Sequence, residues 1–152
     1  FFMELVGRDG RGIPLSWGSK RQSCTSSHTA EAEMVSLSGC VRTEVLPAQQ
    51  LLEWVLGRPI PAELREDNSA CIIACMKGYS PNMRYLKRTQ RISIGLVHDI
   101  LHRPLKDREG PVTLVKAASS EQKGDLFTKA MQRASFERAL ELIRWFALAP
   151  KT

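Results

Sequence analysis

Apolar positions at the start of the chain fall in two short runs, Phe1 to Val6 and Ile13 to Trp17, separated by the turn-rich stretch Gly7 to Gly12. Such runs about a glycine-rich turn predict a hairpin of two strands. From Thr29 the spacing lengthens to that of a helix: Ala30, Met34, Leu37 and Val41 share one face, with Thr29 or Ser27 available as the cap. Pro47 is read as interrupting this helix, and Leu51, Leu52, Trp54, Val55 and Leu56 predict a second, short one that Gly57 and Pro59 terminate. Pro61 to Glu66 predicts a strand, Asp67-Asn68-Ser69 a turn, and Ala70 to Met76, apolar on every side, a buried helix stopping at Lys77-Gly78. Ser80 and Pro81 suit the cap and first residue of a long helix, about Asn82 to His102, which Pro104 ends. Val112 to Val115 predicts a strand, Ser119-Ser120 with Gln122 resembles a capping box for a helix through Met131, and Phe136 to Leu148 reads as a last amphipathic helix. Strands alternating with helices predict an α/β fold, in which ligands gather beyond the carboxyl ends of strands.

Composition narrows what such a fold could do. A chain of 152 residues, 43% hydrophobic, can bury one real core and is short for two. The net charge of +6 supplies the positive field that polyanions such as nucleic acid exploit. Cys24, Cys40, Cys71 and Cys75 form no CxxC pair, so neither a zinc ribbon nor a thioredoxin-like motif is supported. No apolar run approaches the ~20 residues of a membrane span, and no basic-then-apolar leader opens the chain, so an intracellular fragment is expected.

Asp67 stands at the junction of a predicted strand and helix, where an acid is most often only a cap. Its meaning changes when three segments are read together. These are Pro14-Leu15-Ser16-Trp17-Gly18-Ser19-Lys20-Arg21-Gln22 with the following Ser26 to Leu37, then Glu66-Asp67-Asn68-Ser69-Ala70, then Lys123-Gly124-Asp125-Leu126-Phe127-Thr128-Lys129. In order and spacing they resemble the ribonuclease H domain of copia-type retrotransposon polyproteins, whose pattern is an I-S-W-x-S-K-x-Q strand, an S-x-x-E-A-E-Y helix, a D-N-x-x-A turn and a late A-D-x-x-T-K helix. The likeness covers residues 1–131, with 132–152 left as a C-terminal helix and tail.

The resemblance implies a ribonuclease H-like mixed sheet with flanking helices, here lacking the family's first strand. It also implies an endonuclease that cleaves the RNA strand of an RNA–DNA hybrid during reverse transcription, using two Mg2+ (or Mn2+) ions held by carboxylates. Carried over by motif position, Glu33 is the helix carboxylate, Asp67 the strand-end carboxylate shared by both ions, and Asp125 the late carboxylate. Glu31 competes with Glu33 for the helix position; its alternative role is that of a first-turn acid favoured by the helix dipole. The implied partners are the hybrid and the reverse transcriptase of the same polyprotein, in the cytoplasm, the nucleus or retrotransposon particles, and no membrane.

Two features depart from the family pattern. The D-x-D-W strand carrying the first catalytic Asp is not among these residues, and Asp9 sits in a hairpin turn where Asp-Gly is ordinary chemistry. The H-x-R-T-K-H-I-D stretch is replaced by Arg84 to Ser93, in which Arg88 and Thr89 survive. On a continuous helix Arg84, Lys87, Arg88 and Arg91 would form one basic stripe able to follow a phosphate backbone or simply face solvent, and Lys20 and Arg21 offer a second contact. His98 and His102 have a spacing that can bind zinc but lack a metalloprotease glutamate, and are read as surface or packing residues, with product release a further role for His98. Competing readings are a catalytically inactive transposon remnant that keeps the fold and weak nucleic-acid binding, and a scaffold that works only within a longer polyprotein.

Overall fold

A computed structural model describes residues 1–20, 22, 25–103 and 110–143. The expected contact at Arg21, the stop at Pro104 and the end of the last helix beyond Ile143 lie outside them. The fold is mixed α/β, and the chain divides into two compact units, Gln22–Ala118 and Phe1–Arg21 with Ser119–Thr152. Among the described residues no helix is long and apolar enough to cross a membrane.

The smaller unit begins with the expected hairpin, β1 (Phe2–Val6) and β2 (Gly12–Trp17), which pair antiparallel with an irregularity between Met3 and Glu4. Gly10, at φ 74°, takes the left-handed turn position that glycine occupies without a Cβ penalty.

In the larger unit α1 (Thr29–Cys40) forms as its periodicity predicts, with Met34 and Leu37 buried. Its cap is neither Thr29 nor Ser27 but His28, whose Nδ1 accepts the Glu31 backbone N–H at 3.2 Å. Pro47 does not interrupt the helical path. A π-helical stretch, Val41–Val45, joins α1 directly to α2 (Leu46–Leu56), and every residue at the joins is right-handed helical. A wider turn ahead of the proline relieves the clash its ring would make with the carbonyl four residues back. Gly57 then ends α2 in the left-handed conformation, as expected.

β3 (Ala62–Glu66) and β4 (Val112–Lys116) run parallel, paired from Ala62↔Val112 to Glu66↔Lys116. Between them in sequence come α3 (Ser69–Lys77), the short α4 (Leu86–Thr89) and α5 (Ile94–His102). Helices α1, α3 and α5 pack on one another around Met34, Val41, Cys71, Cys75, Leu86 and Val97, each at most 1% exposed. The predicted single helix from Asn82 to His102 is therefore broken. Its first turn is a 3₁₀ turn at Pro81–Met83, and Arg91 adopts φ 56°. This break lets Leu86, Ile92 and Ile94 all reach the core, which one straight helix would not allow.

Back in the smaller unit, the helix expected from Ser119 through Met131 is replaced by 3₁₀ turns at Ser119–Glu121 and Lys123–Phe127. The hairpin overrides a weak helical preference that Gly124 already lowers. Lys123 pairs with Glu4 and lies 5.7 Å above the Phe2 ring, while Phe127 stacks on Phe2 with centroids 6.1 Å apart. The last helix, α6, spans Arg133–Leu142.

Candidate carboxylate site

β3 carries Leu64 and Glu66 inward and Glu63 and Arg65 outward, and Asp67 is the first residue beyond its carboxyl end. A cap is required there, because α3 starts at Ser69 and its first N–H groups lack partners within the helix. Asn68 supplies it: its Oδ1 accepts from Ala70 N at 3.0 Å and Cys71 N at 3.1 Å. The capping role that offered the plain explanation of Asp67 thus belongs to its neighbour. Asp67 stays at the strand end, half-buried.

Glu66, next to it, is a carboxyl that sequence reasoning passed over. It is 6% exposed and accepts the Asn68 N–H at 2.9 Å. Burial, together with the negative charges of Glu33 and Asp67, raises its pKa to about 7. The alternation of β3 was the available signal, since it puts Glu66 on the same inward face as Leu64. The electrostatic coupling also locates Glu33: this half-buried residue of α1 is close enough to the end of β3 for its charge to be felt at Glu66. Glu33 on α1 and Asp67 at the end of β3 thus both act electrostatically on Glu66. Lys116, paired in register with Glu66, donates from Nζ to Ser69 Oγ at 2.8 Å.

Hydrogen bonding gives Glu31 a structural role. Glu31 is fully buried, and its carboxylate accepts from Ser27 N at 2.7 Å, Tyr85 Oη at 2.8 Å and Gln90 Nε2 at 2.6 Å. The Ser27 N–H above all, with help from Tyr85 and Gln90, holds its pKa below the ordinary carboxylate value against the opposing effect of burial. Glu31 is consumed as a structural tie between the start of α1 and the segment around α4.

Asp125 belongs to the smaller unit, in the first turn of the Lys123–Phe127 segment, where Lys129 Nζ lies 2.7 Å from its Oδ2. Among the described residues no three or more His, Cys, Asp or Glu side chains are grouped so as to hold a metal ion. Lys20 is exposed just beyond β2. Arg84, Lys87, Arg88 and Arg91 are all exposed, yet the break at Arg91 means that they do not form the stripe of a single helix.

Comparison of the chain with protein-family models, with curated proteins and with solved structures finds no match.

Proposed function

We propose that this chain is a ribonuclease H-type domain of a copia-type retrotransposon polyprotein, acting on the RNA strand of an RNA–DNA hybrid beside the reverse transcriptase of that polyprotein. One observation supports this above the others: Glu33 from α1 and Asp67 from the end of β3, both assigned from the sequence motifs, are electrostatic neighbours of one buried carboxyl, Glu66. Acidic side chains beyond the carboxyl end of a parallel strand stand where α/β folds gather ligands.

The donors are carboxylate oxygens, the ligand type that Mg2+ and Mn2+ take. In number they fall short, because no group of three suited to a metal occurs among the described residues. What the chain itself offers is a pair of carboxylates able to orient water by accepting its hydrogen bonds, with Asp125 as the third residue the motif assigns. The exposed Lys20, Arg84, Lys87, Arg88 and Arg91 are the candidate phosphate contacts.

A second reading, an inactive remnant that still binds nucleic acid, is favoured by the same shortfall in grouped ligands. A labelled RNA–DNA hybrid incubated with the chain and MgCl2 separates the two. Cleavage abolished by Asp67→Asn is the expected result; cleavage that Asp67→Asn leaves intact overturns the assignment. Hybrid binding without cleavage, weakening steeply with salt, supports the second reading instead.

A further inference from the structure

Helix α2 turns its polar side inward and its apolar side outward. Gln49 Nε2 donates to the carbonyls of Ile60 and Gly110, and Glu53 Oε1 accepts the N–H groups of the same two residues, all at 2.6–3.1 Å. These four bonds fix the roll of the helix about its axis. Leu51, Trp54 and Val55, spaced i, i+3, i+4 on the opposite side, are therefore held 59%, 80% and 60% exposed. Together they present roughly 400 Å2 of apolar surface, the size at which a contiguous patch marks an interaction site.

The face is self-complementary about Leu51. Seven positions before it, in the π-helical stretch that runs into α2, stands the half-buried Glu44, and seven positions after it, past Gly57, the exposed Arg58. Between them lie a small pair, Pro47 and Ala48, on the amino-terminal side of Leu51 and a large pair, Trp54 and Val55, on the carboxy-terminal side. Two such helices laid antiparallel about a twofold axis at Leu51 put the large pair of each over the small pair of the other. The same operation brings Glu44 to the level of the partner's Arg58, about 10 Å along the helix on either side of the axis. A parallel arrangement would instead oppose glutamate to glutamate and tryptophan to tryptophan.

We propose that α2 is the contact face of a homodimer of this chain, two copies packing antiparallel through Leu51, Trp54 and Val55 with Glu44–Arg58 pairs at both ends. With the flanking residues the contact buries roughly 1,000 Å2 in total, at the low end for a specific interface, so association is weak, with a Kd on the order of 10–100 μM. Tryptophan at the centre of such a patch is the residue type that carries most of the binding energy. The contact involves none of the residues assigned to hybrid cleavage and stands whether or not the ribonuclease H reading holds.

Sedimentation equilibrium of the full chain, from about 1 μM to about 1 mM, tests it. The average mass is expected to climb from 17.1 kDa toward twice that value. Trp54→Ala, which removes a contact made twice in the dimer, should weaken association at least about thirtyfold. Glu44→Arg and Arg58→Glu each bring like charges together and should weaken it severalfold at low salt, whereas a chain carrying both changes regains the wild-type strength, because the pairs are restored with their signs exchanged. Recovery in the double variant distinguishes a lost contact from a lost fold, and circular dichroism reports the fold of each chain. If Trp54→Ala does not fold, the charge reversals carry the comparison. A chain of single mass at every concentration, which would leave the face to a different protein or to a membrane surface, overturns the proposal. So does association that Trp54→Ala leaves unchanged, or charge reversals that fail to weaken it singly or to restore it together.

Discussion

Removing the Glu31 carboxylate should unfasten the start of α1 from the segment around α4. The group has no solvent-exposed surface, and it gathers three donors: a backbone N–H, a phenol and an amide. Hydrogen bonds to a charged acceptor contribute ~1.5–3 kcal/mol each. Tyr85 and Gln90, which cover Glu31, are only half-buried, and Ser27 is exposed, so its N–H can turn to water. These facts favour the lower end of each contribution. Glu31→Ala, which leaves the Tyr85 and Gln90 donors without their acceptor, is then expected to cost about 3 kcal/mol, and Tyr85→Phe, which deletes one donor, about 1.5 kcal/mol.

Chemical denaturation with urea measures both. In a double-mutant cycle Tyr85→Phe should cost close to nothing in the Glu31→Ala background, because its acceptor has gone. The pH dependence adds an independent check. The folded-state pKa of Glu31 lies below its ordinary value, so the stabilisation is fully present above that ordinary value and is lost as pH falls through the folded one. The difference between wild type and Glu31→Gln should therefore be intact at neutral pH and shrink below about pH 4. A Glu31→Ala cost under about 1 kcal/mol, or an undiminished Tyr85→Phe effect in the double mutant, would refute the three-donor account.

Glu66 titrates in the opposite sense. Its folded pKa is raised, so the folded state holds the proton longer than the unfolded chain, and stability is lost as pH climbs from the ordinary carboxylate range to about 7. At full weight a rise from 4.5 to about 7 corresponds to about 3 kcal/mol, and solvent near the strand end reduces this to roughly 1–2 kcal/mol. Glu66→Gln in EDTA should accordingly be the more stable protein at pH 8 and no different at pH 4, as measured by urea melts. Gly110→Ala should cost more than about 3 kcal/mol, because a Cβ there would stand 2.0 Å from the Ile60 carbonyl oxygen. The loss should appear as a lowered Tm or as failure to fold; a melt like that of the wild type would refute the close approach.

That close approach shows why part of the fold was not legible in the sequence. Gln49 and Glu53 lie one turn apart on α2 and read as ordinary polar helix residues. In the structure Gln49 Nε2 donates to the carbonyls of Ile60 and Gly110, while Glu53 Oε1 accepts the N–H groups of the same two residues. Helix α2 thus uses a polar stripe to align the starts of β3 and β4, and leaves Trp54 80% exposed on its apolar side. Periodicity assigns the apolar face inward, so it finds the helix and misses its orientation. The hairpin, α1, α3 and β4 were legible because turn chemistry and side-chain period are local signals. The breaks were not: the π stretch before Pro47, the turn at Arg91 and the 3₁₀ segment around Asp125 are set by what the surrounding residues pack against.

The candidate site divides along the same line. Motif position pointed to Glu33 and Asp67, but motif spacing alone did not separate Glu33 from Glu31 or a functional Asp67 from a capping one. Neighbouring and distant residues account for Glu31 and for the cap. Tyr85 and Gln90, more than fifty positions along the chain, consume Glu31, and Asn68 takes the cap. The placement of Asp125 in a 3₁₀ turn beside Lys129 is explained by the smaller unit alone. An Asp125→Asn variant that cleaves hybrid as the wild type does would therefore leave the assignment of Asp67 standing and remove only the late-motif carboxylate.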